Sequence, residues 1–214
     1  SSALWMRILG TAQWLLDESG SAALVGLIGV VQLIVQVPTT LWAGTLADRV
    51  DRKRLMTLSY GLTAASLILL GFLNYVGFLS PALVYLGIAV TASTHMLVGP
   101  ARSALIPVIF PEKDLMLATS TDTASSNIAA IVGPLIFALI ATAADLSLVF
   151  VAAGAFSFLS MLLPFFIWAS GKSENSKDDA PKSQIAQTID GFRYVANHPI
   201  LPGLFLLDIG ITTA

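Results

Sequence analysis

The chain has 214 residues, of which 56% are hydrophobic and only 11% charged, with a net charge of -2 and a mean hydropathy of +0.81. A soluble domain carries roughly a quarter of its residues as Asp, Glu, Lys and Arg, so this chain lacks the charge to cover a water-exposed surface and takes lipid as its solvent. The absence of cysteine excludes disulfides, thiol chemistry and cysteine metal sites, and His95 and His198 stand too far apart for a histidine metal cluster.

A helix needs about 20 mostly apolar residues to cross the hydrocarbon core. That measure gives five complete spans and two partial ones. The first, partial, covers residues 3–16 and exits at Asp17-Glu18-Ser19-Gly20. The second covers 22–43, the third 55–76, and a tight turn over 77–81 leads to the fourth at 82–99. The fifth is expected at 124–144 and the sixth at 147–168. Residues 171–182 are polar and have linker composition. Ile185, Ile189, Phe192 and Val195 then recur at spacings of three and four, the pattern of a short helix lying on the membrane surface. The closing apolar run, 200–214, reads as the start of a seventh helix.

The fold class is therefore all-α and membrane-embedded. The expected organisation is a six-helix bundle over 1–169, a cytoplasmic linker with its amphipathic helix over 170–198, and the beginning of a second bundle over 199–214. The first apolar stretch has neither a basic start nor a small-residue cleavage site, so no signal peptide is read there. A chain that opens on Ser1 and closes inside an apolar run is expected to be a fragment or an incomplete gene product.

Lys and Arg placement sets orientation. Arg49, Arg52, Lys53 and Arg54 follow the second span, Arg102 and Lys113 the fourth, and Lys172, Lys177, Lys182 and Arg193 the sixth. The opposite loops, around Asp17-Glu18, Gly77 and Asp145, hold no basic residue. Ten of the 11 basic residues thus share one side, expected to be the cytoplasm; the eleventh, Arg7, lies inside the first span.

Between the second and third spans the chain reads Gly44-Thr-Leu-Ala-Asp48-Arg49-Val-Asp51-Arg52-Lys53-Arg54. This resembles the signature loop of the major facilitator superfamily, Gly-x-x-x-Asp-Arg-x-Gly-Arg-Arg, in the same topological slot. Asp51 stands where the motif has its second glycine, which puts the tightness of the turn in question. Other passages are similar to the enterobactin exporter-like branch. They are Gly99-Pro100-Ala101-Arg102 through Pro107, Asn127 through Gly133-Pro134, Asp190-Gly-Phe-Arg193-Tyr194 with His198-Pro199, Leu206-Leu207-Asp208, and the early Trp5-Met6 and Trp14-Leu15. Two departures stand out: the glycines flanking Gly133-Pro134 are missing, and the fourth span lacks the arginine of many drug:proton antiporters.

The resemblance implies a conformational latch at Gly44, Asp48, Arg49 and Arg52. Gly44 permits close helix approach, and Asp48 can sit at the positive end of a helix in the second half of the transporter. Gly133 and Pro134 imply helix bending and close packing.

Ionisable and polar groups inside the spans are the candidates for a substrate or proton pathway. Arg7 sits about 15 Å before Asp17 along the helix; it binds an anionic substrate, holds a carboxylate in the cavity, or snorkels to a surface. Asp208, about 12 Å into the seventh helix, is either a proton carrier or a structural carboxylate. His95 either relays protons or bonds a helix backbone. Gln32 and Gln36, one turn apart, with Gln13 and Asn127, either line an aqueous cavity or glue helices together. Asp122, near the start of the fifth span, reads as structural.

The function implied is proton-coupled efflux of a small organic molecule, a siderophore or drug, by alternating access across a bacterial cytoplasmic membrane. Its partners are the bilayer, the substrate, the proton and the C-terminal half of the transporter. A lysophospholipid flippase of the same fold and a non-transporting membrane module are the alternatives. No phosphate-cradling Gly-rich loop, metal set or activated nucleophile is present, so neither an enzyme, an ATP-driven pump, a cofactor nor a nucleic-acid partner is expected.

Overall fold

The computed structural model describes residues 2–166, apart from the side chains at 44, 45, 47, 48 and 49. These residues form six helices: α1 (Ser2–Ser19), α2 (Ala22–Arg49), α3 (Arg52–Tyr75), α4 (Pro81–Ile109), α5 (Leu115–Ala143) and α6 (Leu146–Leu162). A 3-10 turn, Glu112–Asp114, leads into α5, and another, Leu163–Phe166, follows α6. The helices α2 to α5, and α6 together with the 3-10 turn after it, are each long and apolar enough to cross a membrane. At ~1.5 Å per residue the 18 residues of α1 reach about 27 Å, close to the ~30 Å hydrocarbon thickness. The linker, the surface helix and the seventh-helix start expected beyond residue 169 lie outside the described residues.

Several helix ends differ from the sequence expectation, and the four largest shifts have identifiable reasons. α2 continues six residues past 43, so Gly44 to Arg49 complete its last turns and the motif's loop shrinks to Val50 and Asp51. α4 runs through Pro100 and Pro107 to Ile109, where the sequence suggested a stop at 99. Proline disfavours helix at the residue before it, yet in a membrane bundle neighbouring helices and side chains stabilise such interruptions. α5 begins at Leu115, nine residues earlier than 124, because its polar Thr- and Ser-rich first turns are helical although they lack an apolar pattern. α6 gives way to the 3-10 turn after Leu162, since Pro164 has no N–H to continue the ladder.

Tight turns reverse the chain at each end. Gly77 adopts φ 75, a left-handed geometry open to glycine, and closes the α3–α4 connection. Asp51 has φ -56, so the position that the motif reserves for glycine needs no positive φ here. Its carboxylate instead accepts from the backbone N–H of Lys53 at 2.9 Å and of Arg54 at 3.4 Å, capping α3.

The interior sits where α1, α3, α4 and α6 meet, around Met6, Leu15, Leu67, Ile88, Val149 and Phe150. α3 packs most extensively on α6, α4 on both α2 and α3, and α1 on α5 and α6. Lipid removes the hydrophobic drive between helices, so close backbone approach carries the packing. An added Cβ at Gly71 would lie 2.8 Å from the Ser147 carbonyl oxygen, and one at Gly154 would lie 3.2 Å from that of Ala64. Those two positions let α3 and α6 touch. By contrast α2 and α5 are scarcely buried, and Leu33, Ile34, Leu135 and Leu139 stand exposed on them.

Hydrogen bonds fasten the bundle at both ends. Trp14 Nε1 donates to Asn74 Oδ1 at 2.6 Å, Asn74 Nδ2 to Ser147 Oγ at 2.7 Å, and Ser147 to Asp145 at 2.7 Å. This chain of bonds joins α1, α3 and α6 at the end that lacks basic loops. At the basic end Arg52 Nη1 donates to the Ala104 carbonyl at 2.9 Å, tying the start of α3 to the last turns of α4.

Candidate functional site

A polar cavity of ≈ 130 Å³ opens among α1, α3, α4 and α6. Arg7 enters from α1, Tyr60 and Thr63 from α3, Thr91, Thr94, His95 and Arg102 from α4, and Ser157 and Ser160 from α6. The helical repeat explains the convergence. Tyr60 and Thr63, Thr91 and Thr94, and Ser157 and Ser160 are each three residues apart, so each pair shares one helix face. The remaining wall is apolar, with Leu4, Leu67 and Val98.

Arg7 is the buried charge of this site. Only 3% of its surface is exposed, and its Nε and Nη1 are buried without a hydrogen-bond partner. Thr11, one turn on, donates to the Arg7 carbonyl at 2.8 Å. Across the cavity Thr63 and Thr94 meet hydroxyl to hydroxyl at 2.7 Å, joining α3 to α4. Arg102 is paired with Asp122 on α5, both half-exposed.

The candidates named from the sequence are spread over the bundle. Arg7 and His95 come together in the cavity wall, although His95 is exposed. Gln32 and Gln36 are half-buried on α2 and Asn127 is exposed on α5; none of the three lines this cavity. Gln13 is exposed and donates to Asp17 at 2.8 Å within its own helix. Gly133 is buried: a Cβ there would come within 2.8 Å of Trp5 Cβ and 3.0 Å of the Ser2 carbonyl, so it admits α1 against α5. Pro134, beside it, is half-buried inside α5. Gly44, Asp48 and Arg49 have helical backbone, and their side chains lie outside those described; Asp208 lies outside the described residues altogether.

Sequence reading passed over Tyr60, Thr63, Ser157, Ser160 and Arg102 as cavity residues. Their signal was present as the three-residue spacing of polar groups within apolar spans. It is faint because serine and threonine also satisfy themselves on their own helix: Thr91 bonds the Gly87 carbonyl at 2.8 Å and Ser157 that of Ala153 at 3.0 Å.

Residues 1–214, the whole chain, match the Major Facilitator Superfamily. The chain is 27% identical over 207 residues to the multidrug efflux pump Tap of Mycobacterium tuberculosis H37Rv and of Mycobacterium bovis BCG Pasteur, covering 93% of this chain and 49% of each pump. It is 26% identical over 166 residues to a Na(+), Li(+), K(+)/H(+) antiporter of Planococcus maritimus, covering 78% of this chain and 39% of that protein. The chain thus spans about half the length of the curated relatives it matches or less. An all-α bundle of apolar helices and a family match from end to end lead to one conclusion: the chain belongs to the Major Facilitator Superfamily and is a multi-pass membrane protein of that transporter family.

Proposed function

We propose that this chain forms the front bundle of a secondary transporter that exports a small organic molecule, a drug or siderophore, by alternating access coupled to protons. The observation that carries the reading is the polar cavity holding a buried arginine between membrane-spanning helices. A charge held at that depth is costly and defaults to a role in a substrate or ion pathway. Relatives described as a multidrug efflux pump and a cation/proton antiporter support export and proton coupling. The scarcely buried α2 and α5, with Gln32, Gln36 and Asn127 on them, suit a second bundle packed against this one. In this reading the basic loops face the cytoplasm of a bacterial cell, and Asp208, an acid within the seventh apolar run, carries the proton.

Vesicles containing the full-length protein, loaded with a fluorescent drug and given an imposed pH gradient, test the proposal. Gradient-dependent drug movement that a protonophore abolishes is expected, with Asp208→Asn removing the dependence. Equal flux with and without the gradient would sink proton-coupled export.

A further inference from the structure

We propose that Arg7 anchors an oxyanion of the ligand, a carboxylate or phosphate, so that the transported molecule carries an anionic head. The inference rests on reading the cavity as part of the transport pathway.

Arg7 is 3% exposed, and two of its three guanidinium nitrogens are buried without a partner. Among the described residues it has no carboxylate partner, and no Asp or Glu lines the cavity. The other arginine of the wall, Arg102, already holds Asp122. The serine and threonine hydroxyls are largely committed to their own helices. Thr63 gives its proton to the Ser59 carbonyl at 2.9 Å, Thr91 to Gly87, and Ser160 to Phe156 at 2.9 Å. With those protons committed, the wall offers hydroxyl lone pairs, the Tyr60 hydroxyl, the His95 imidazole and the Arg7 fork, and of these the Arg7 fork is the buried charge without a carboxylate. A guanidinium keeps its charge and matches a carboxylate or phosphate through two parallel N–H bonds. A buried cation without a counter-charge is strongly unfavourable, and an arriving anion removes that penalty.

Size limits what enters. The cavity's ≈ 130 Å³ is near the ~150 Å³ that admits a benzene ring and below the roughly 300–1,000 Å³ of drug-sized pockets. It therefore seats a head group, and the rest of the molecule extends beyond it. The anion comes either from a soluble organic acid or from a lipid headgroup, which share the chemistry of a negatively charged oxygen pair.

The test is binding of radiolabelled benzoate to the full-length protein in neutral phosphatidylcholine nanodiscs, with benzamide and lysophosphatidylglycerol as competitors. Benzoate is expected to bind about tenfold or more tightly than benzamide, the worth of a charge-assisted hydrogen bond. Arg7→Gln should erase that preference and Arg7→Lys should keep part of it. Displacement of benzoate by lysophosphatidylglycerol through Arg7 identifies a lipid headgroup as the source; resistance to it identifies a soluble acid. Equal or undetectable binding of benzoate and benzamide, or a preference that survives in Arg7→Gln, overturns the proposal. Gradient-driven drug movement without benzoate binding rejects the anionic head and leaves export standing; benzoate binding without gradient-driven movement does the reverse.

Discussion

Arg102 on α4 holds Asp122 on α5, joining two helices that otherwise touch little. Both side chains are half-exposed, so the pair belongs with the weakly stabilising kind, about 0–1 kcal/mol. A double-mutant cycle of Arg102→Ala and Asp122→Ala, read by thermal unfolding in detergent, should give a coupling within that range. A much larger coupling would mean that the pair is desolvated in the membrane.

The bonds from Trp14 through Asn74 to Ser147 make a sharper prediction. Asn74 contacts partners on two other helices, at 2.6 and 2.7 Å. Asn74→Ala leaves the Trp14 N–H and the Ser147 hydroxyl short of a partner each. Hydrogen bonds between membrane helices average about 0.6 kcal/mol and reach about 1.7, so a loss of about 1–2 kcal/mol is expected in SDS-induced unfolding.

Glycine substitutions should separate by what a Cβ meets. At Gly71 the obstacle is the Ser147 backbone oxygen at 2.8 Å, which cannot rotate aside, whereas at Gly29 nothing lies within 4 Å. Gly71→Ala should cost about 1–3 kcal/mol through overpacking. Gly29→Ala adds a Cβ to the helix assigned above to the second bundle, so a comparable cost in the full-length protein would support that packing, and a gain of up to about 1 kcal/mol of helix propensity would mean that nothing meets it. The same unfolding assay ranks them.

Asp51 caps α3 where the family motif has glycine. Asp51→Ala should cost about 1 kcal/mol, and Asp51→Gly, which restores the motif, only a few tenths. Equal losses at both would remove the capping role.

The number and order of the six described helices were legible because a span of apolar residues is a long signal, and Arg7 was legible because a charge interrupts one. Helix ends were less so. Pro100 looks like a stop in any isolated segment, and it continues α4 because the bundle compensates. Bonds such as Trp14 to Asn74 span 60 residues and leave no local pattern. Asp51 read as a departure from a motif, because the motif states which residue is usual and not what the backbone N–H groups of Lys53 and Arg54 require. The cavity's hydroxyl pairs could be read only after α3, α4 and α6 had been brought together.

Because the chain contains no cysteine, a single one at Ser160 reports on the cavity directly. In the full-length protein, labelling of Ser160→Cys by a water-soluble maleimide should be slowed by the exported drug and should change when a pH gradient is imposed. Leu69→Cys, on an exposed apolar face of α3, should show neither response. Labelling of Ser160→Cys that ignores both drug and gradient would contradict the placement of the transport pathway between α1, α3, α4 and α6.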